Sequence, residues 1–353
     1  MAARGGCGRG RGGHRGRARL GAHGERPLRA HALSALQLLV SRRQRAGKAA
    51  RVHAVRRLPR LHGEARHDQA RPLPRLRAAV PARESDVIKL RKLRFEFPDD
   101  IPFWFNPKSR EASLLANGMS LVAPGFERYF IKAIREAMPR IRDGAARDEA
   151  NRFCIQEGQH AKFHIDHQDL LLRKHPELEA VRDEVNRSYD DLQRNESTEF
   201  ALAYATAIEL GFKPLAKYLV ESRQVLFAGG DARITSFLLW HFVEEFEHRH
   251  AMFDVYREVV GDYWYRLGVT RRTWAHVSAL GARVQAACIA CEQPPADDPG
   301  LPRIPRTRLL ALGLGLLETL SPLHDPRRGP VPQWIADWFA ADDAGADMTT
   351  IAL

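Results

Sequence analysis

The first 85 of the 353 residues contain no aromatic residue and only four acids, Glu25, Glu64, Asp68 and Glu84. Against these stand 21 lysines and arginines, a net charge of +17. Arg, Ala, Gly, Pro, His and Leu supply almost everything else, without a sustained apolar period. Such a segment cannot bury enough surface to offset its ordering entropy, which predicts disorder over residues 1–86. An Arg-rich nucleic-acid tail would gain affinity from phosphate contacts, but no aromatic residue is interleaved to stack bases. Ala32–Val40 is a short apolar run followed by Arg42 and Arg43. No small-residue cleavage site follows it cleanly, as a targeting peptide requires. The composition fits GC-rich sequence translated upstream of the true start, and that is the expectation for this segment. The remaining residues carry 34 bases and 39 acids. The overall charge of +12 therefore belongs to the N-terminal segment, and no nucleic-acid partner is expected for the globular part.

Other absences narrow the field further. No apolar stretch reaches the ~18–20 residues of a membrane span. Arg308–Leu320 comes nearest and reads as a core or partner-facing helix, on a lid or a homodimer surface. Four cysteines, one of them in the Arg-rich segment, make no disulfide framework, so a reducing cytoplasm is expected. Cys288-Ile289-Ala290-Cys291 is a C-x-x-C without a second pair, read as a reduced helical pair. A Gly-rich phosphate loop and a serine nucleophile elbow are both lacking.

What is present is helical periodicity. The texture changes at Val87, where Val87–Phe97 begins to alternate. Pro98, Pro102 and Pro107 keep Arg94–Pro107 extended or turned. Helices are then expected over about 109–138 (interrupted near Pro124-Gly125), 146–173, 177–187, 197–210, 213–228, 231–267, 270–291, 305–320 and 331–341. Gly211 and Pro214 read as a stop between the fourth and fifth. The expectation is an all-α domain over residues 87–353, a four-helix bundle with additional C-terminal helices.

Two motifs within it share a spacing. Glu157-Gly158-Gln159-His160 and Glu245-Phe246-Glu247-His248 are both Glu-x-x-His. Residues i and i+3 share a helix face, so each pair offers a carboxylate and an imidazole to one point. Glu127 and Glu209 lie on otherwise apolar faces, where a carboxylate is costly to bury unless paired or metal-bound. The chain order is Glu, Glu-x-x-His, Glu, Glu-x-x-His, the arrangement of ferritin-like di-metal carboxylate bundles. A competing register, Glu244 with Glu247-x-x-His250, falls on a face that reads as solvated or as an outer support of the site. His164, four after His160, is a further candidate ligand. His241, four before Glu245, is likewise a candidate ligand or a partner that holds a carboxylate, and His241 and Glu244 are the candidate bases. His167 reads as a bonded core histidine. Trp240, Tyr256, Tyr263, Trp264 and Tyr265 read as core.

With these residues assembled, the chain resembles the bacterial family of predicted metal-dependent hydrolases, grouped with the ferritin-like proteins. The likeness covers roughly 90–290. It rests on Arg94-Phe95-Glu96-Phe97-Pro98-Asp99-Asp100-Ile101-Pro102, on Phe153–His160 with His164, and on Trp240–Arg249 with Phe253-Asp254-Val255-Tyr256. Family members begin near Arg94–Pro102, which agrees with an upstream start. The resemblance implies hydrolysis by a metal-activated water. Ligand composition and bundle order favour instead O2-dependent oxidation of a small organic substrate at two iron ions, with manganese or zinc as the alternative metals. A third reading is storage, or an idle site that only stabilises the bundle.

Overall fold

The computed structural model describes residues 87–292 and 304–351, all within one compact unit, Ala32–Leu353. The Arg-rich segment, with the disorder and upstream start expected of it, lies outside the described residues.

Every regular element among the described residues is a helix, as the periodicity predicts. Helix α1 (Arg110–Ala137) starts where Ser109 accepts a hydrogen bond from Ala112 N–H. It runs unbroken through Pro124, where an interruption was expected. A proline leaves the carbonyl four residues earlier without its helical donor. Here that carbonyl, on Ser120, accepts from the Gln168 side chain at 2.9 Å. Gly125 admits a neighbour, since a Cβ there would sit 2.6 Å from Tyr189 Cδ2.

Helix α2 (Gly144–Lys174) is capped by Asp143, which accepts from Ala145 and Ala146. A 3-10 turn at Pro176–Leu178 leads into α3 (Glu179–Asn195), which is longer than its weak pattern suggests. The expected stop at Gly211 and Pro214 is not used. One helix, α4 (Thr198–Glu221), spans both. Pro214 sits at a glycine of a later helix, where a Cβ on Gly315 would come within 2.7 Å of Pro214 Cβ. After the single turn α5 (Arg223–Leu226), Asp231 caps α6 (Ala232–Glu247), as expected.

The long helix expected to about 267 is instead three. The chain breaks at His248–His250, where Arg249 Nη1 donates back to the carbonyls of Phe246 and Glu247 and satisfies the end of α6. Helix α7 (Ala251–Val259) ends near Gly261, whose φ of 68° is left-handed. Helix α8 (Tyr263–Cys291) then starts afresh on Asp262. That second break turns the first residues of α8 outward. Trp264 and Tyr265 are exposed rather than core, whereas Trp240 and Tyr256 are buried. Helices α9 (Arg306–Glu318) and α10 (Gln333–Asp343) follow.

Helix α1 packs on α2, α4 and α8, and α4 packs on α6, α7, α8 and α9. The extended stretch 87–97 pairs with no strand. It lies along α2 and α6 and buries alternate residues. Phe95 meets Phe163 and Trp240 at ring-centroid distances of 5.3 and 5.1 Å, and Phe97 meets Phe237 at 5.2 Å.

A methyl group at Gly125 must displace the buried Tyr189 ring, so Gly125→Ala should lower stability by about 1–3 kcal/mol. Urea denaturation checks this. An unchanged midpoint would mean that α3 yields freely.

Candidate metal centre

Four helices bring carboxylates to one place: Glu127 from α1, Glu157 from α2, Glu209 from α4 and Glu245 from α6. None exposes more than 1 % of its surface, and His160, His241 and His248 expose none. Glu127 and Glu209 stand on helix faces that are otherwise mostly apolar. Glu209, for instance, follows Leu202, Ala205 and Thr206, all fully buried.

The donors form two groups, within each of which the ligand atoms lie no more than 4.8 Å apart. One comprises Glu127, His160 and His241. The other comprises Glu157, Glu209, Glu245 and His248. Glu245 reaches both. Its Oε2 is 3.0 Å from His248 Nε2, while its Oε1 is 2.9 Å from His241 Nε2 and 3.4 Å from His160 Nδ1. Glu157 Oε1 and Glu209 Oε2 approach His248 Nε2 to 3.3 and 3.4 Å.

Most of these atoms have no hydrogen-bond partner. Both oxygens of Glu127, Glu157 and Glu209 are buried and unsatisfied, as are Glu245 Oε1, His160 Nδ1 and His241 Nε2. Buried polar groups are almost always bonded. A concentration of orphaned acceptors facing one point is the donor set that a multivalent cation fits.

The far side of each imidazole is held. His248 Nδ1 donates to Gln156 Oε1 at 2.9 Å, and His160 Nε2 donates to Glu244 Oε2 at 3.1 Å. His241 Nδ1 lies 2.7 Å from His164 Nε2, His164 Nδ1 lies 3.0 Å from Ser120 Oγ, and Ser120 Oγ lies 2.7 Å from His167 Nδ1. With Nδ1 of His241 as the donor, protons pass in one direction along this row, and Nε2 keeps its lone pair toward the carboxylates. Carboxylate, amide and imidazole partners of this kind set the tautomer of a metal-ligating histidine.

A further layer surrounds these partners. Arg91, 6 % exposed, donates from Nη1 to Glu244 Oε1 at 3.1 Å. Its Nη1 and Nη2 each donate to Glu247 at 2.9 Å, and its Nε donates to Asp342 at 2.8 Å. Gln156 Nε2 also donates to Glu247, at 3.1 Å.

Burial raises the carboxyls of Glu127, Glu157 and Glu209 well above the usual range, reinforced in each by neighbouring carboxylate charge. For Glu127, His160 partly opposes the rise. Glu245 behaves oppositely. Burial opposes its ionisation, but the neighbouring His248, His160 and His241 imidazoles hold it well below the ordinary value. Burial works against the His160 cation too, yet Glu244 and Glu245 raise it to about 10. Burial, with charge from other histidines, depresses His241 to about 4. Three carboxyls pushed up by burial thus surround one, Glu245, that its imidazole neighbours hold low.

The structure thus brings Glu127, Glu157, His160, Glu209, Glu245 and His248 together. His241, expected as a base, joins them through Nε2. His164 stands behind His241, and its Nε2 is 3.9 Å from Glu127 Oε1. Glu244 is committed to Arg91 and His160. The face holding Glu244, Glu247 and His250 is not solvated, because Arg91 and Gln156 cover the two glutamates and Glu149 bonds His250 at 2.7 Å. Arg91, Gln156 and Ser120 carry no motif. The one visible signal was an arginine in phase with Leu93, Phe95 and Phe97, on the buried side of the alternation.

An all-helical chain with a closed cluster of carboxylates and imidazoles has the makings of a metalloprotein. A family model described as predicted metal-dependent hydrolase matches residues 89–309, and the chain belongs to that family. No curated protein and no solved structure matches it.

Removing Arg91 would leave Glu244 and Glu247 buried without their cation. Arg91→Met should cost about 3–5 kcal/mol, read as a lowered urea midpoint. The pH dependence of the metal-free chain also has a defined sign. The depressed histidines contribute stability that is complete above their unfolded value near 6.5. The raised carboxyls and His160 contribute stability that is lost as pH climbs through their folded values. Between about pH 7 and 9 only the second group changes, so the metal-free melting temperature should fall. A Glu157→Gln, Glu209→Gln variant should flatten that slope, and a slope unchanged in the variant would refute the assignment.

Proposed function

We propose that the chain is a metal-dependent hydrolase working at a two-metal centre, with Glu245 shared between the metals. The observation that carries this reading is the pair of donor groups joined by the two oxygens of Glu245. Glu127, His160 and His241 would hold one ion, and Glu157, Glu209 and His248 the other. We read the four contributing helices as a ferritin-like bundle on the order of these donors. Three imidazoles against four carboxylates make a set richer in nitrogen than the two Glu-x-x-His motifs alone suggest. Zinc and manganese suit such a set as well as iron does. This mixture and the family's description both favour hydrolysis over the oxidation expected from ligand order.

Bound metal of this kind supplies an acidified water and polarises the acyl or phosphoryl oxygen of a substrate. The chain's own groups do the rest. Gln156 and Glu244 keep His248 and His160 turned to the centre. Arg91 neutralises Glu244, so Glu244 acts as a positioning residue rather than as the base first expected. The row through His164, Ser120 and His167 keeps the Nε2 lone pair of His241 directed inward.

A second reading, O2-dependent oxidation at two iron ions, has one observation in its favour. Every donor is closed off from solvent, and a diatomic gas needs no open cleft.

Full-length protein should hold about two more metal ions per chain than a variant lacking the buried centre, as measured by mass spectrometry. It should hydrolyse some member of a panel of p-nitrophenyl esters and phosphates without O2. A Glu157→Ala, Glu245→Ala variant should lose both properties. Gln156→Ala should keep the fold and weaken metal affinity by ~10–100-fold. Two iron ions with O2 consumption and no hydrolysis would transfer the conclusion to the second reading. A metal-free protein would remove both.

A further inference from the structure

We propose a second metal site, for a divalent ion of the zinc class, formed by His175, Glu177 and Cys291 where the α2–α3 turn meets the end of α8. It is independent of the centre described above and shares no residue with it.

The three side chains come from two distant stretches. His175 closes α2, with its backbone N–H donating to Leu171 O at 2.8 Å. Its ring sits edge-on to Phe103 at 4.5 Å, which limits how it can turn. Glu177 lies two residues on, in the 3-10 turn. Cys291 is the last residue of α8, which packs on that turn. One ligand atom from each lies within 4.8 Å of the others.

The imidazole is oriented as a ligand would be. Its Nε2 faces Glu292 Oε2 at 3.1 Å, and its Nδ1 faces Glu177 Oε1 at 3.4 Å. With Nε2–H donated to Glu292, the Nδ1 lone pair is left on the side of Glu177. A carboxylate behind a histidine is the usual support of a zinc-binding imidazole. Sulfur, nitrogen and carboxylate oxygen together are a zinc-type donor set, and the fourth position of a tetrahedron is left to water.

In the metal-free chain the Cys291 thiol is pushed up to about 11 by burial and the Glu177 charge. An ion entering here displaces the thiol proton to solvent and takes the thiolate. Cys288, three residues earlier, is fully buried and takes no part. The C-x-x-C thus divides into one core thiol and one rim thiol. A metal at the rim thiol would fasten the C-terminal end of a 29-residue helix to the turn between α2 and α3.

Cobalt(II) tests this directly. Thiolate-to-cobalt charge transfer gives near-ultraviolet absorption that carboxylate and imidazole ligands do not. Full-length protein stripped by chelation and titrated with cobalt should develop this band to about one equivalent. The band should vanish in Cys291→Ser and fall sharply in His175→Ala, and in both it should be independent of whether the buried centre is filled. Absence of the band at saturating cobalt would overturn the site. So would persistence of the band in Cys291→Ser, or an undiminished band in His175→Ala.

Discussion

Four carboxylates meet in the middle of an apolar helical core, and nearly everything around them answers that charge. Isolated anions there would cost several kcal/mol each. Burial raises the carboxyls of Glu127, Glu157 and Glu209 well above the usual range, while the imidazoles beside Glu245 hold it low. The layer behind repeats the pattern on a smaller scale. Glu244 and Glu247 are also buried, and Arg91 satisfies both. A cation held by such a cluster would tie its affinity to folding free energy.

Rigidity at the centre comes from positions that look like faults in helices. Pro124 would weaken α1, but the carbonyl it orphans is occupied by Gln168, so the two helices are joined at that level. Ser120, the residue whose carbonyl is freed, also carries the hydroxyl that links His164 and His167. One turn of α1 thus serves both helix packing and imidazole orientation.

How far these features could be read in advance depended on range. The Glu-x-x-His spacings are local, and helical geometry alone puts each pair on one face. Glu127 and Glu209 were visible as acids on apolar faces, and the all-α class followed from the period. The stops read at Pro124 and Pro214 are not used: at Pro124 Gln168 takes the freed carbonyl, and Pro214 packs closely against Gly315, both from distant stretches. The break at His248 carries no local stop residue, and a side chain caps it. The face of Glu244 and Glu247 was judged by assuming that polar means solvated. An extended strap and a C-terminal helix cover it, and neither could be placed from periodicity. The Arg-rich N-terminal stretch lies outside the described residues, so that reading stands where composition left it.

Arg91 has one partner far from the others. Two of its carboxylates lie on α6, but Asp342 lies on α10, beyond residue 309 where the family match ends. Within the matched stretch Arg91 already faces two carboxylates, and Asp342 is a third that reaches it from outside. A fragment cut to those limits would keep every donor of the buried centre, yet lose a counter-anion that holds the arginine behind it. The arginine behind the buried centre is therefore held in part from beyond the matched stretch, by a helix that supplies no donor to that centre.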